Sequence, residues 1–209
     1  HELFPEDTTN EDYNDNITLK ELEDTLLQTK GSSPGPDRIH YDMIKNLTQK
    51  GKQILLQLYN KIFDEGLPQQ WKHSMIVPIK KPGKDPRQAT SYRPIALTSC
   101  TCKLMEKIIN KRLQWTLDNK NLLNRFQSGF IKGKGTIDNI AYVIDCIQRG
   151  FAAQEQTTAV FIDLKNAYDR VWTHKVTDNM KRLGFKGRML KYINSFLQNR
   201  TFNIQMGII

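Results

Sequence analysis

In the stretch 159–172, AVFIDLKNAYDRVW, an apolar run ends on the carboxylate of Asp163, and a second carboxylate, Asp169, follows behind Tyr168. Read as a strand, residues 160–163 turn Phe161 and Asp163 to one face and Val160 and Ile162 to the other. A carboxylate that ends a buried strand stands where open α/β sheets usually place ligand chemistry. Carboxylate oxygens are the donors a hard divalent cation prefers, and the Leu164 carbonyl offers a second oxygen beside them. The ordinary alternative for Asp163 is a cap on the next helix, the commoner role for an isolated Asp at a strand end. For Asp169 it is a first-turn acid favoured by the helix dipole.

A second group of residues is cationic. Residues 80–92 form a polar loop with two prolines, carrying Lys80, Lys81, Lys84 and Arg87, with Arg93 just beyond. Around it, residues 74–79 read as a short apolar strand whose Pro78 favours an edge or bulge. Residues 94–97 read as the returning strand of a hairpin. Charge over the whole chain points the same way. Residues 1–24 hold nine acids and one base, so the 22 acids and 31 bases of the sequence leave 13 and 30, a net +17, over residues 25–209. The acidic opening reads as a linker or disordered segment, and the remainder as a binder of polyanions. A solvated basic face is the ordinary role of any single lysine cluster.

The elements that must position these groups follow from period and capping. Thr18 and Glu21 make a capping box, and Leu19, Leu22 and Leu26 share one helical face that should end near Gly31. A Pro- and Gly-rich loop follows at 32–37. Residues 41–65 read as two helices broken near Gly51, ended by Gly66 and Pro68. Helices are expected over 102–117, 136–151, 176–183 and 189–197, strands over 160–163 and 201–206. Cys100, Cys102 and Cys146 cannot form a disulfide framework, and no zinc-like spacing follows them, so they read as reduced thiols in or near a core. No apolar run reaches the roughly 18–20 residues of a membrane span, and no signal peptide opens the chain. The chain begins on His1 and stops after an apparent strand, which reads as a piece of something longer.

Taken together, the motifs resemble the reverse transcriptases of non-LTR retrotransposons, Jockey-like elements above all. Those that carry the resemblance are Phe-Ile-Asp-Leu-x-x-Ala-Tyr-Asp at 161–169, Ser-Tyr-Arg-Pro-Ile-Ala-Leu-Thr at 91–98, residues 76–83 and the Phe-Gln-Ser-Gly-Phe block at 126–130. Ser33-Pro-Gly-Pro-Asp37 is similar to the family's N-terminal extension motif, usually closed by Gly where this chain has Arg38. Five blocks in the expected order make chance a poor explanation.

The resemblance implies an RNA-directed DNA polymerase that extends a DNA primer on an RNA template with dNTPs, by two-metal nucleotidyl transfer. Asp163 would be the first catalytic aspartate and a ligand of two Mg²⁺ ions, with the Leu164 carbonyl as a further metal oxygen. Lys81 and Arg93 would grip the incoming triphosphate, as a mobile point charge and a planar fork; Lys80 replaces Lys81 if the loop shifts by one. Tyr168 would gate the sugar. Gln127 and Gly129 would line the template. The implied fold class is α+β: right-hand polymerase fingers plus an incomplete ferredoxin-like palm. Its parts are an acidic segment at 1–16, a helical extension at 17–73, fingers at 74–156 and a partial palm at 157–209.

The chain departs from the family in lacking an Asp-Asp pair, and it stops before the Gln-Gly motif and thumb are due. The expectation is therefore that this segment alone does not polymerise. The alternatives are a non-catalytic, basic nucleic-acid-binding relic of such an element and, more distantly, a group II intron maturase relative. An intracellular, nuclear and cytoplasmic protein is expected, with no membrane partner.

Overall fold

The computed structural model describes residues 11–165 and 167–205, without the Asp169 side chain. The chain forms two units, residues 1–115 with 172–209 and residues 116–171.

In the first unit Thr18 starts α1 (Leu19–Leu27) through the expected capping box, its hydroxyl accepting from the Glu21 N–H while the Glu21 carboxylate accepts from the Thr18 N–H. The next two helices are α2 (Tyr41–Lys45) and α3 (Gln49–Glu65). The break between them therefore falls at 46–48 and not near Gly51. The reason is local: Thr48 caps α3 by accepting from the Gly51 N–H, so Gly51 occupies the first turn of the helix instead of ending one.

The sheet has three strands among the described residues. β1 (His73–Lys80) pairs antiparallel with β2 (Tyr92–Leu97) and parallel with β3 (Thr201–Ile204), in the order β2-β1-β3. The expected hairpin is thus present and β2 begins two residues earlier than its apolar run; the last residue of the expected final strand, Met206, lies outside the described residues. α4 (Cys100–Asn119) follows β2. α6 (Thr173–Arg182) and α7 (Gly187–Leu197) complete the first unit.

The core of this unit gathers around α3, α7 and the first half of α4. Tyr59, Phe63, Leu104, Met105, Met189 and Leu190 are fully buried. The Phe63 ring meets Tyr192 edge-on with centroids 6.0 Å apart, and the Arg188 guanidinium lies 4.6 Å from its centre. Tyr59 donates to the Thr101 carbonyl at 2.7 Å, tying α3 to α4. The N-terminus of α7 is capped from far away: Asn14 accepts the Met189 N–H at 2.9 Å, while Tyr13 is buried against Phe185.

The loop at 32–37 is packed against the start of α4. A side chain at Gly35 would place its Cβ 2.4 Å from the Ser99 nitrogen and 2.6 Å from the Thr98 carbonyl carbon, so only glycine lets the two backbones meet. Gly35→Ala is expected to destabilise the chain by about 2–3 kcal/mol, as overpacking against unyielding backbone, read as a lower urea midpoint. Arg38 closes the same turn, its N–H donating to the Gly35 carbonyl, at φ 58. That left-handed conformation costs a side-chain-bearing residue about 1–2 kcal/mol, which gives a physical reason for glycine to be favoured at this position. Arg38→Gly should raise stability by about 0.5–1 kcal/mol, once the greater freedom of glycine in the unfolded chain is subtracted. A raised thermal midpoint checks it.

In the second unit α5 (Thr136–Ala152) begins where Asp138 accepts the Gly135 N–H at 2.6 Å. Its Ile137, Ile140, Ile144 and Phe151 are exposed. Residues 160–163, expected as a strand, have no regular structure, and Phe161 and Ile162 are 86% and 85% exposed. The apolar pattern is that of a strand, but a strand also needs a neighbour for its backbone N–H and C=O groups. Among the described residues no strand pairs with this one.

Candidate nucleotide-binding hairpin and catalytic segment

In the first unit the hairpin register decides which cations stand together. Ile79 faces Arg93 across the ladder and Lys80 faces Tyr92. The ladder runs one step further, with the Lys81 N–H donating to the Ser91 carbonyl at 2.8 Å. Alternation along both strands therefore gives one face to Lys81, Ile79 and Arg93, and the other to Lys80 and Tyr92. Of the two lysines, Lys81 is the one that shares a face with Arg93. Its ammonium donates to the Thr90 carbonyl at 2.8 Å, which holds it across the mouth of the loop, and Arg93 is exposed. A held ammonium and an exposed guanidinium on one face suit a polyphosphate: the guanidinium offers a planar fork, the ammonium a point charge.

On the opposite face the hairpin bears a cleft of about 620 Å³, lined by Ile76, Pro78, Tyr92, Pro94, Arg87 and Ile204 among others.

In the second unit Gln127 donates from Nε2 to the Gly129 carbonyl at 3.1 Å, within a loop that the Lys134 ammonium holds by the Arg125 and Gln127 carbonyls. Beside it the Arg125 guanidinium lies 4.5 Å from the centre of the Phe126 ring, and Phe126 packs on Tyr142 at 5.3 Å. A small cleft of about 190 Å³ opens among Arg125, Phe126, Ser128, Asn139 and Tyr142. Exposed aromatic faces next to amides and cations are the chemistry that holds unstacked bases.

Asp163 and Leu164 lie in the irregular segment, exposed, and Tyr168 opens a three-residue 3-10 turn (Tyr168–Arg170) at 78% exposure. Residues 164 and 165 directly behind Asp163 are not helical, so Asp163 does not cap a helix that begins there. Its carboxylate and the Leu164 carbonyl are the right kind of donor for Mg²⁺, hard oxygens. They are too few: among the described residues no group of three or more acidic, histidine or cysteine side chains gathers to hold a metal ion. The described residues do not by themselves make a cation site.

Several cations that belong to the net +17 of residues 25–209 fasten the N-terminal helices. Lys103, Lys107 and Lys111 recur every fourth residue along α4. Lys103 donates to the Ser32 hydroxyl and the Ser33 carbonyl, Lys107 lies 5.5 Å from the Tyr41 ring centre, and Lys111 donates to Thr25. Arg112 pairs with Glu21 and donates to the Asp15 and Asn16 carbonyls. Burial of the Glu21 carboxyl opposes its ionisation, but the Arg112 pair and the Thr18 donors outweigh it and hold the group below the ordinary carboxylate value. The four-residue spacing was the available signal.

These features coincide with a family. Residues 79–208 match the family described as reverse transcriptase (RNA-dependent DNA polymerase). The chain belongs to the reverse transcriptase family. It is 31% identical over 192 residues to the RNA-directed DNA polymerase from the mobile element jockey of Drosophila melanogaster, covering 91% of this chain and 21% of that protein. It is 34% identical over 175 residues to the probable RNA-directed DNA polymerase from transposon BS of the same species, covering 83% and 19%. A third relative is the Pol polyprotein of the type-1 retrotransposable element R2 of Popillia japonica, 24% identical over 91% of this chain and 26% of that protein. The resemblance to Jockey-like, non-LTR elements read from the motifs therefore holds. The chain spans about a fifth of the length of the curated relatives it matches. No helix among the described residues is long and apolar enough to cross a membrane.

Proposed function

We propose that this chain is the fingers and first half of the palm of a retrotransposon's RNA-directed DNA polymerase. The observation that carries the reading is membership of the reverse transcriptase family over residues 79–208. In it, Lys81 and Arg93 grip the triphosphate of the incoming dNTP, a role supported by their shared face of the hairpin. Gln127 and Gly129 contact the RNA template beside the Phe126 ring. Tyr168 packs under the sugar and disfavours a 2′-hydroxyl. Asp163, with the Leu164 carbonyl, is this segment's contribution to a shared Mg²⁺ site; the remaining carboxylates are not among the described residues. The 209-residue chain alone does not incorporate nucleotides. A primed-RNA extension assay, on a polymerase that carries this segment and on the chain alone, tests both statements. Incorporation that survives the loss of Asp163, or that the chain alone performs, overturns them.

A second reading, a non-catalytic nucleic-acid binder, is favoured by the net +17 of residues 25–209 and by the absence of a metal-holding group among the described residues. It requires that binding of primer–template by the chain weaken steeply with added salt, as counterion release dictates.

A further inference from the structure

The grip proposed for Lys81 and Arg93 needs both cations held in one place, yet residues 81–91 form a long connection for a hairpin, most of it exposed. Two contacts brace it. The Tyr92 hydroxyl donates to the Pro86 carbonyl at 2.9 Å, from the face of the hairpin opposite Arg93. The Asp85 carboxylate accepts from the backbone N–H of Arg87 at 3.0 Å and from its Nε at 3.3 Å, forming an Asx turn at the tip. Backbone bonds from Gln88 to Asp85 and from Ser91 to Gln88 carry that turn back to β2. The last of these turns presents the Thr90 carbonyl that holds the Lys81 ammonium.

We infer that Tyr92 and Asp85 are positioning residues for the triphosphate grip. Together they form a latch that folds the loop back on its own strand, so that the Thr90 carbonyl meets Lys81 on the face shared with Arg93. Neither touches the phosphates: Tyr92 points to the other face, and a carboxylate near an anion would repel it. The inference rests on the proposed role of Lys81 and Arg93, and goes beyond it by naming what sets their geometry.

The test is calorimetric titration of the 209-residue chain with inorganic tripolyphosphate at low ionic strength, with amide exchange at Lys81 followed in parallel. Tyr92→Phe loses one hydrogen bond, and Asp85→Ala loses the Asx turn with its exposed Arg87 pair, so each should weaken binding about 2- to 10-fold and speed exchange of the Lys81 N–H. Asp85→Asn is the decisive comparison. It removes the same negative charge as Asp85→Ala but keeps an oxygen for the Arg87 N–H, so it should bind at least as tightly as the unaltered chain and restore the slow exchange. Weakening by Asp85→Ala is then telling, because loss of the charge alone would tighten an anion. If Tyr92→Phe and Asp85→Ala bind normally while Lys81→Ala and Arg93→Ala do not, the latch is wrong and the grip stands. If Lys81→Ala and Arg93→Ala also bind normally, or the unaltered chain does not bind, the grip itself fails and takes the latch with it.

Discussion

Replacing Asp163 by Ala is expected to cost a polymerase that carries this segment at least about 100-fold in dNTP incorporation on primed RNA, the scale of losing one fixed charge from a reacting centre. The urea midpoint of the 209-residue chain should not move with it. The carboxylate is exposed and lies in irregular backbone, so its removal leaves no cavity and no buried partner unpaired. That separation makes the experiment clean, since a loss of activity cannot be charged to unfolding. Asp163→Asn sharpens it further: the amide keeps the shape and discards the charge, and should be nearly as damaging if charge is what matters. Equal incorporation by all three proteins sinks the catalytic assignment.

The largest stability effect is expected at Phe63. Its ring is wholly buried, meets Tyr192 edge-on, and is covered by the Arg188 and Arg112 guanidiniums at 4.6 and 6.0 Å. Phe63→Ala should cost about 3–5 kcal/mol through lost transfer energy and the cavity left behind. That is a large share of the roughly 5–15 kcal/mol that holds a typical domain. The two guanidiniums would also lose their aromatic partner. Urea denaturation followed by circular dichroism should show the midpoint falling steeply, whereas Phe63→Leu, which keeps most of the volume, should cost less than half as much. A Phe63→Ala midpoint within error of the unaltered chain would mean that α3, α4 and α7 do not pack around this ring.

Much of the fold is legible in sequence, because the forces that start and stop helices act within about four residues. The capping box at Thr18 and Glu21, the periods of α4, α5 and α7, and the hairpin of β1 and β2 are all of this kind. Even the break expected near Gly51 differs from the structure for a local reason: a glycine reads as a helix end, and a threonine three residues earlier makes it part of the first turn. The motifs that mark the family are equally local, and they were sufficient to place the chain in it.

What sequence could not supply is whatever depends on a partner distant along the chain. The apolar run at 160–163 has the composition of a strand, but a strand exists only when another pairs with it, and no such neighbour stands among the described residues. The parallel pairing of β1 with β3, the capping of α7 by Asn14, and the face of the hairpin that Lys81 shares with Arg93 were decided by tertiary structure. So was the fate of Lys103, Lys107, Lys111 and Arg112, which composition counts as polyanion-binding charge and the fold spends on fastening its N-terminal helices. A side chain's type fixes what it can bind. Its neighbours, brought close only when the chain closes on itself, fix what it does bind.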